Sequence, residues 1–210
     1  MNIDLCIKTK KDLIDAVGLI GFLPLFRNSV RGFSVEEHVD PSAWFSSEEG
    51  VWEWKGPVIR EAGCAYGKFF ENKAVFVSRE WFPDLANYRR DGYDFDARVD
   101  DELVPFRDQE LYGMLDAPML SKELKRRWGD RKGFDTIICR LQKQCYVVIS
   151  DFVYETDKHG RPYGWGVAEY STPEMAFGGG FCAYERKPSE SCERIVEHLR
   201  SFGVDLSGKI

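Results

Sequence analysis

Apolar positions along this chain recur with two different periods, and the change from helical spacing to alternation comes twice. In residues 118–129, Ser121 is placed to accept from the open N–H groups of a first turn and Gly129 to make a left-handed exit, which predicts a short helix. From Gly133 to Gln144, Phe134, Ile137, Ile138 and Leu141 fall on one face, with Arg140, Gln142, Lys143 and Gln144 outside it, which predicts a second helix. The period then drops to two. Residues 145–154 are β-branched and aromatic, residues 157–160 carry a turn signal, and residues 163–170 return as a partner strand. Helix, turn, helix and hairpin is the order of a winged helix, whose second helix can enter a major groove while the hairpin lies along the backbone.

The first hundred residues repeat that order. Thr9 caps a helix over Lys10 to Val17, a loop runs from Gly18 to Gly32, and Ser34-Val-Glu-Glu37 has the form of a capping box in a segment ending at Trp44-Phe45. Pro57 suits the first turn of a helix reaching Cys64. Residues 65–70 and 74–78, joined by a turn at 71–73, make a second hairpin. The chain therefore reads as an α+β protein of tandem winged-helix units with short antiparallel hairpins. The first unit with its connector takes residues 1–105, and the second with its terminal helix takes 106–210. The connector, 82–102, is polar, aromatic and charged, and helical up to Arg90. In the tail, Cys192, Ile195, Val196 and Leu199 mark the inner face of an amphipathic helix closed by Gly203, expected to pack on the second unit.

Charge sharpens this picture at one place. Between Met119 and Cys145 eight basic residues face three acids, a local excess of five on a chain of formal net charge −6. A basic patch on one face of an acidic protein can neutralise phosphates. The nucleic-acid-binding candidates are Lys122, Lys125, Arg126, Arg131, Lys132, Arg140, Gln142 and Lys143, with Lys158 in the wing tip. The competing reading takes these lysines as a solvated face of a structural or protein-binding unit.

With 43% apolar residues the 210-residue chain can bury real cores. Its six cysteines form no Cys-x-x-Cys pair and none stands beside a histidine at metal-ligand spacing, so neither a metal nor a cofactor is expected. The start has no basic region followed by an apolar core, and no apolar run reaches the roughly 20 residues that span a bilayer. A cytoplasmic protein without a membrane partner is the expectation; oligomeric state is not legible.

Aromatic residues, 14% of the chain, gather in its middle. Trp52, Trp54, Tyr66 and Tyr88, near Arg79, Arg89 and Arg90, are candidates for a pocket that stacks a base, although rings of this kind most often fill cores. For general-base chemistry the candidates are Glu53, between two tryptophans that would desolvate it, and Asp94 and Asp96 in the acidic connector. His38, His159 and His198 are scattered, and Gly178-Gly-Gly180 is followed by no phosphate-loop Lys-Ser/Thr.

Ser121-Lys-Glu-Leu-Lys125, Leu141-Gln-Lys-Gln-Cys-Tyr-Val-Val-Ile149 and the run from Gly164 to Glu174 resemble the AlkZ-type winged-helix family of bacterial DNA glycosylases, which excise alkylated and crosslinked bases. The connector from Trp81 to Asp96, with Trp52-Glu-Trp54 ahead of it, is similar to the shorter AlkZ-related group. The resemblance covers most of the chain and implies tandem winged helices, duplex DNA as partner and a link to DNA repair. It also implies a Gln-x-Asp or Gln-x-Gln motif after the first helix, where polar side chains position water. Here the corresponding segment is Gly21 to Asn28, and Pro24 and Phe26 stand where the polar pair belongs. Arg27 and Asn28 are out of register and take no catalytic role. The function expected is nucleic-acid binding without the family's catalytic motif. The alternatives are an active base-excision hydrolase with altered catalytic residues, and a protein-interaction or structural domain.

Overall fold

In the computed structural model, residues 5–44, 50–156, 158–159 and 162–206 are described. Helix α1, Lys10–Ile20, starts at Thr9, whose side chain accepts from Asp12 N while the Asp12 carboxylate accepts from Thr9 N. It ends at Gly21, in the left-handed region (φ 77°). A Cβ at Gly21 would meet the Trp81 ring at 2.5 Å, so both backbone angle and space require glycine there. The stretch from Gly18 to Gly32, a loop by its sequence, contains a strand, β1 (Phe22–Pro24), at the edge of the sheet, where a proline without an N–H is tolerated. The capping-box segment forms only a 3-10 turn, Val35–Glu37, with Ser34 Oγ bonded to Glu37 Oε2 at 2.7 Å.

Helix α2, Val51–Ala62, begins well ahead of Pro57, because Glu53 Oε2 accepts from Gly50 N and closes the first turn there. Pro57 thus lies inside the helix rather than in its first turn. Strands β2 (Ala65–Phe70) and β3 (Lys73–Val77) form the first hairpin, turning through Glu71 and Asn72, both at positive φ. Helices α3 (Phe82–Arg90) and α4 (Phe95–Asp100) form the connector, and α5 (Phe106–Gly113) comes after it.

Strand β4, Met119–Leu120, precedes α6, Ser121–Trp128. Ser121 does not cap α6: it is the first helical residue and Leu120 stands at the cap, since Met119 and Leu120 are paired opposite Tyr170 and Glu169 and the helix starts directly off the strand. Helix α7 spans Phe134–Lys143. Strands β5 (Val148–Thr156) and β6 (Pro162–Ser171) form the second hairpin. Lys158 and His159 lie in its turn, whereas Asp157 and Gly160 fall outside the described residues. Helices α8 (Pro173–Phe177) and α9 (Pro188–Ser201) complete the chain.

The two hairpins belong to one antiparallel sheet of order β1-β3-β2-β5-β6-β4, joined where Tyr66 pairs with Ile149. The architecture is α+β. Two apolar clusters flank the join. One unites α1, α2, α3 and α9 with β1, β3 and β2; the other gathers Phe95, Leu111, Leu124, Trp128, Ile138 and Leu141. Tyr170 packs against both.

The tail departs from expectation. Helix α9 packs on α3, not on the second unit: Ile195 and Leu199 are buried in the first cluster, and the His198 ring stacks on Trp81 at 4.0 Å. Asp84 of α3, 1% exposed, gives the reason. It accepts from Arg186 at 2.7 Å, from Ser191 at 2.6 Å and from Arg194 at 3.3 Å, all in the C-terminal segment. A buried carboxylate demands such donors, and the segment carrying α9 supplies them.

Candidate nucleic-acid interface

Helix α7 has two faces of opposite character. Phe134, Ile137, Ile138 and Leu141 are buried, each worth roughly 1.5–3 kcal/mol of transfer free energy. Asp135, Thr136, Cys139, Arg140 and Lys143 line an open groove of about 560 Å³, whose other wall is Lys68 and Asn72 of the β2–β3 hairpin. Lys68 is the exposed residue between buried Gly67 and Phe69. Three cations and one acid thus line the groove, and that acid, Asp135, sits 3.7 Å from Lys125 Nζ.

The remaining basic residues are unequally available. Arg126, Lys132 and Lys158 are exposed with no ion pair among the described residues. Lys122 lies 3.8 Å from Glu155, and pairs this open and this long are worth about 0–1 kcal/mol and yield to salt. Arg131 is committed: its guanidinium lies 3.8 Å from the Trp128 ring, donates to Trp128 O and pairs with Glu110 at 3.0 Å. Arg140 is clamped by Asp108, which takes Nε at 2.6 Å and Nη2 at 2.5 Å.

Gln142 does not belong to this surface. It is 1% exposed, accepts from Lys68 N at 3.1 Å and donates to Ile138 O, so it latches α7 to β2 and reaches no base edge. Packing of α7 against the hairpin turns a position that periodicity places outside the helix into a contact between helix and sheet.

The aromatic pocket expected from the sequence is not formed. Trp54 and Tyr66 are 7% and 3% exposed and fill the first cluster, where Tyr66 meets Phe76 at 4.6 Å. Half-buried Trp52 instead lies 3.2 Å from the Nζ of Lys55, whose other side faces Phe152 at 4.3 Å. Tyr88 is half-buried on α3. Lys55 itself is invisible to pattern reasoning, as a lysine 3% exposed; burial pulls its ammonium down to about 8, against the opposing pull of Glu53.

The carboxylate candidates also separate. Glu53 is the capping acid of α2, Asp96 is exposed in the first turn of α4, and Asp94 caps α4 through Ala97 N at 2.7 Å. Asp94 nonetheless lines a second feature, a polar cleft of about 410 Å³ shared with Asn87, Arg90, Tyr93, Glu174 and Cys182. Arg90, 5% exposed, forms its floor through bonds to Glu174 at 2.8 Å and to Cys145 O at 2.7 Å, and its guanidinium lies 4.7 Å from the Tyr146 ring. Burial pushes the Cys182 thiol up to about 12, as it does Cys145, so neither is a thiolate at neutral pH. Among the described residues no group of three or more His, Cys, Asp or Glu is placed to hold a metal ion, and no helix is long and apolar enough to cross a membrane.

The solved structure of Streptomyces sahachiroi DNA glycosylase AlkZ matches with a TM-score of 0.49 and 13% identity, over 94% of this chain and 53% of that one. The chain therefore spans about half the length of that protein. No curated protein matches it. The family model described as AlkZ related matches residues 7–209, nearly end to end, and the chain belongs to the AlkZ-related family.

Proposed function

We propose that this protein binds duplex DNA through the open face of α7, with α6, α7 and the β5–β6 hairpin acting together as a winged helix. The observation that carries this reading is the groove in which Lys68, Arg140 and Lys143 converge from two elements distant in sequence. Convergence of cations on a solvated face is what phosphate neutralisation needs, whereas a merely solvated charge run has no reason to meet another strand's lysine. Arg126, Lys132 and Lys158 extend the positive surface. Membership of a family named for its relation to AlkZ agrees with DNA as the partner.

The test is fluorescence anisotropy on a labelled duplex across salt concentrations. Binding that weakens steeply with salt, and that is lost in Lys68→Glu/Lys143→Glu, is the expected result. Neither lysine has an ion pair among the described residues, so this double variant leaves the core intact. Undiminished binding in that variant rejects the surface.

A second reading, hydrolysis of a glycosidic bond, draws on the polar cleft, where Asp94 and Glu174 bring two carboxylates to one cavity of a size that holds a small ligand. Glu174→Gln abolishing base release from an alkylated duplex supports it; the absence of abasic sites at stoichiometric protein removes it.

A further inference from the structure

We propose that Arg140 reads guanine in the major groove of DNA, its guanidinium held in the required orientation by the buried carboxylate of Asp108. The inference rests on the duplex-binding reading above. Asp108, on α5, is 1% exposed, and its two oxygens accept from Nε and from Nη2 of Arg140 in a side-on, two-bond clamp. A guanidinium carries five N–H groups, so two are consumed and three remain. Two of these, one on Nη1 and one on Nη2, point off the outer edge, and the third, on Nη1, points back beside Cδ. Nη1 has no hydrogen-bond partner among the described residues, and the side chain, 40% exposed, lines the α7 groove.

Two parallel donors on one rigid edge match the N7 and O6 acceptors of guanine. Adenine places an amino donor beside its N7, cytosine presents a donor, and thymine presents a single acceptor beside a methyl group, so the outer edge of Arg140 pairs fully with one base of the four. The contrast with the neighbouring lysines separates base reading from phosphate contact. Lys68 and Lys143 line the same groove with no carboxylate holding them among the described residues, which suits a contact that must accept any backbone position. Holding an arginine by a desolvated carboxylate restricts it to one direction, a restriction that is useful where direction carries information. Gln142, the other outward-reading candidate on α7, is buried. Duplex RNA is excluded as the partner for this contact because its major groove is too deep and narrow for a helix.

A selection from randomised duplexes by the intact protein is expected to enrich guanine at one position. Replacing that guanine by 7-deazaguanine, which removes the N7 acceptor, is expected to weaken binding about ten- to a hundredfold. Arg140→Lys keeps the charge and loses the fork; it is expected to lose the guanine preference, and with it the difference between guanine and 7-deazaguanine. Asp108→Asn is expected to reduce the preference in part. If no base is enriched, or if 7-deazaguanine is bound as well as guanine, the proposal is overturned. When that happens and Lys68→Glu/Lys143→Glu still abolishes binding, duplex binding stands without base reading; if no duplex is bound at all, both fall. The 7-deazaguanine arm uses unaltered protein and so does not depend on how any variant folds.

Discussion

Two buried aspartates, Asp84 and Asp108, are each 1% exposed and each meets arginine, yet they do different work. Asp84 is surrounded: Arg186, Arg194, Ser191 and the Tyr184 hydroxyl all donate to it, and every one of them comes from the C-terminal segment. Among the described residues Asp108 receives a single side chain, Arg140, and leaves that side chain's outer edge free in an open groove. A carboxylate saturated by donors from one remote segment is a bolt that fixes the segment. A carboxylate that holds one arginine by one edge is a mount that aims it. Lys55 is a third case, a buried cation enclosed by rings with no carboxylate at ion-pair distance among the described residues.

The largest effect should come from breaking the bolt. Asp84→Ala leaves two arginines and a serine facing an empty site and is expected to destabilise the fold by about 3–5 kcal/mol, read as a shift in the urea midpoint. Increased proteolysis after residue 177 should accompany it, because the tail then keeps its apolar contacts and the bonds of Asn87 and His198 but loses its charged anchor. A loss below about 1 kcal/mol would mean that the tail is held by Ile195, Leu199 and the Trp81–His198 stack instead.

Loosening the mount should matter less to stability. Asp108→Asn keeps the shape and one acceptor, and Arg140 is partly solvated, so a loss of about 2 kcal/mol is expected by the same measurement. If the two aspartates proved equally costly, the distinction between them would be lost. Gln142→Ala removes the latch between α7 and β2 and leaves the Lys68 N–H without its acceptor, for about 1–2 kcal/mol. Hydrogen exchange at Lys68 should speed up in that variant.

The last effect has the opposite sign and a pH signature. The Lys55 amine is pulled down to about 8 in the folded state from its ordinary 10.5, so between those values the unfolded chain holds more protons and stability rises with pH. Below about pH 8 the folded protein carries the full penalty of a buried ammonium; above about 10.5 none remains. Lys55→Met is therefore expected to stabilise the protein by about 1–2 kcal/mol at pH 7, the ring contacts offsetting part of the gain, and to lose that advantage by about pH 10.5. A constant difference over that whole range would show that Lys55 does not titrate within it.

Much of the local structure is legible without coordinates. The apolar face of α7, both hairpins, the Thr9 cap and the end of α3 at Arg90 arise from period, propensity and turn chemistry, which act over a few residues. The start of α6 escapes that reading because strand pairing of Met119 and Leu120 outranks a serine's capping preference, and the start of α2 because Glu53 reaches back to Gly50 N. The groove is half legible: Arg140 and Lys143 stand out as outward cations, whereas nothing local groups Lys68 with residues more than seventy positions away.

Charge, periodicity and side-chain type, all local quantities, were enough to name both hairpins, the helices α1, α2, α3, α6, α7 and α9, and the basic stretch. Which side chains look outward was settled by packing. Gln142 was drawn inward by β2, Trp54 and Tyr66 were taken into the core, and α9 was claimed by Asp84, because a buried polar group must find partners wherever the chain can supply them. That demand acts through space and leaves no mark on the spacing of residues, so the cleft around Arg90 and the clamp on Arg140 became visible once distant segments were brought together.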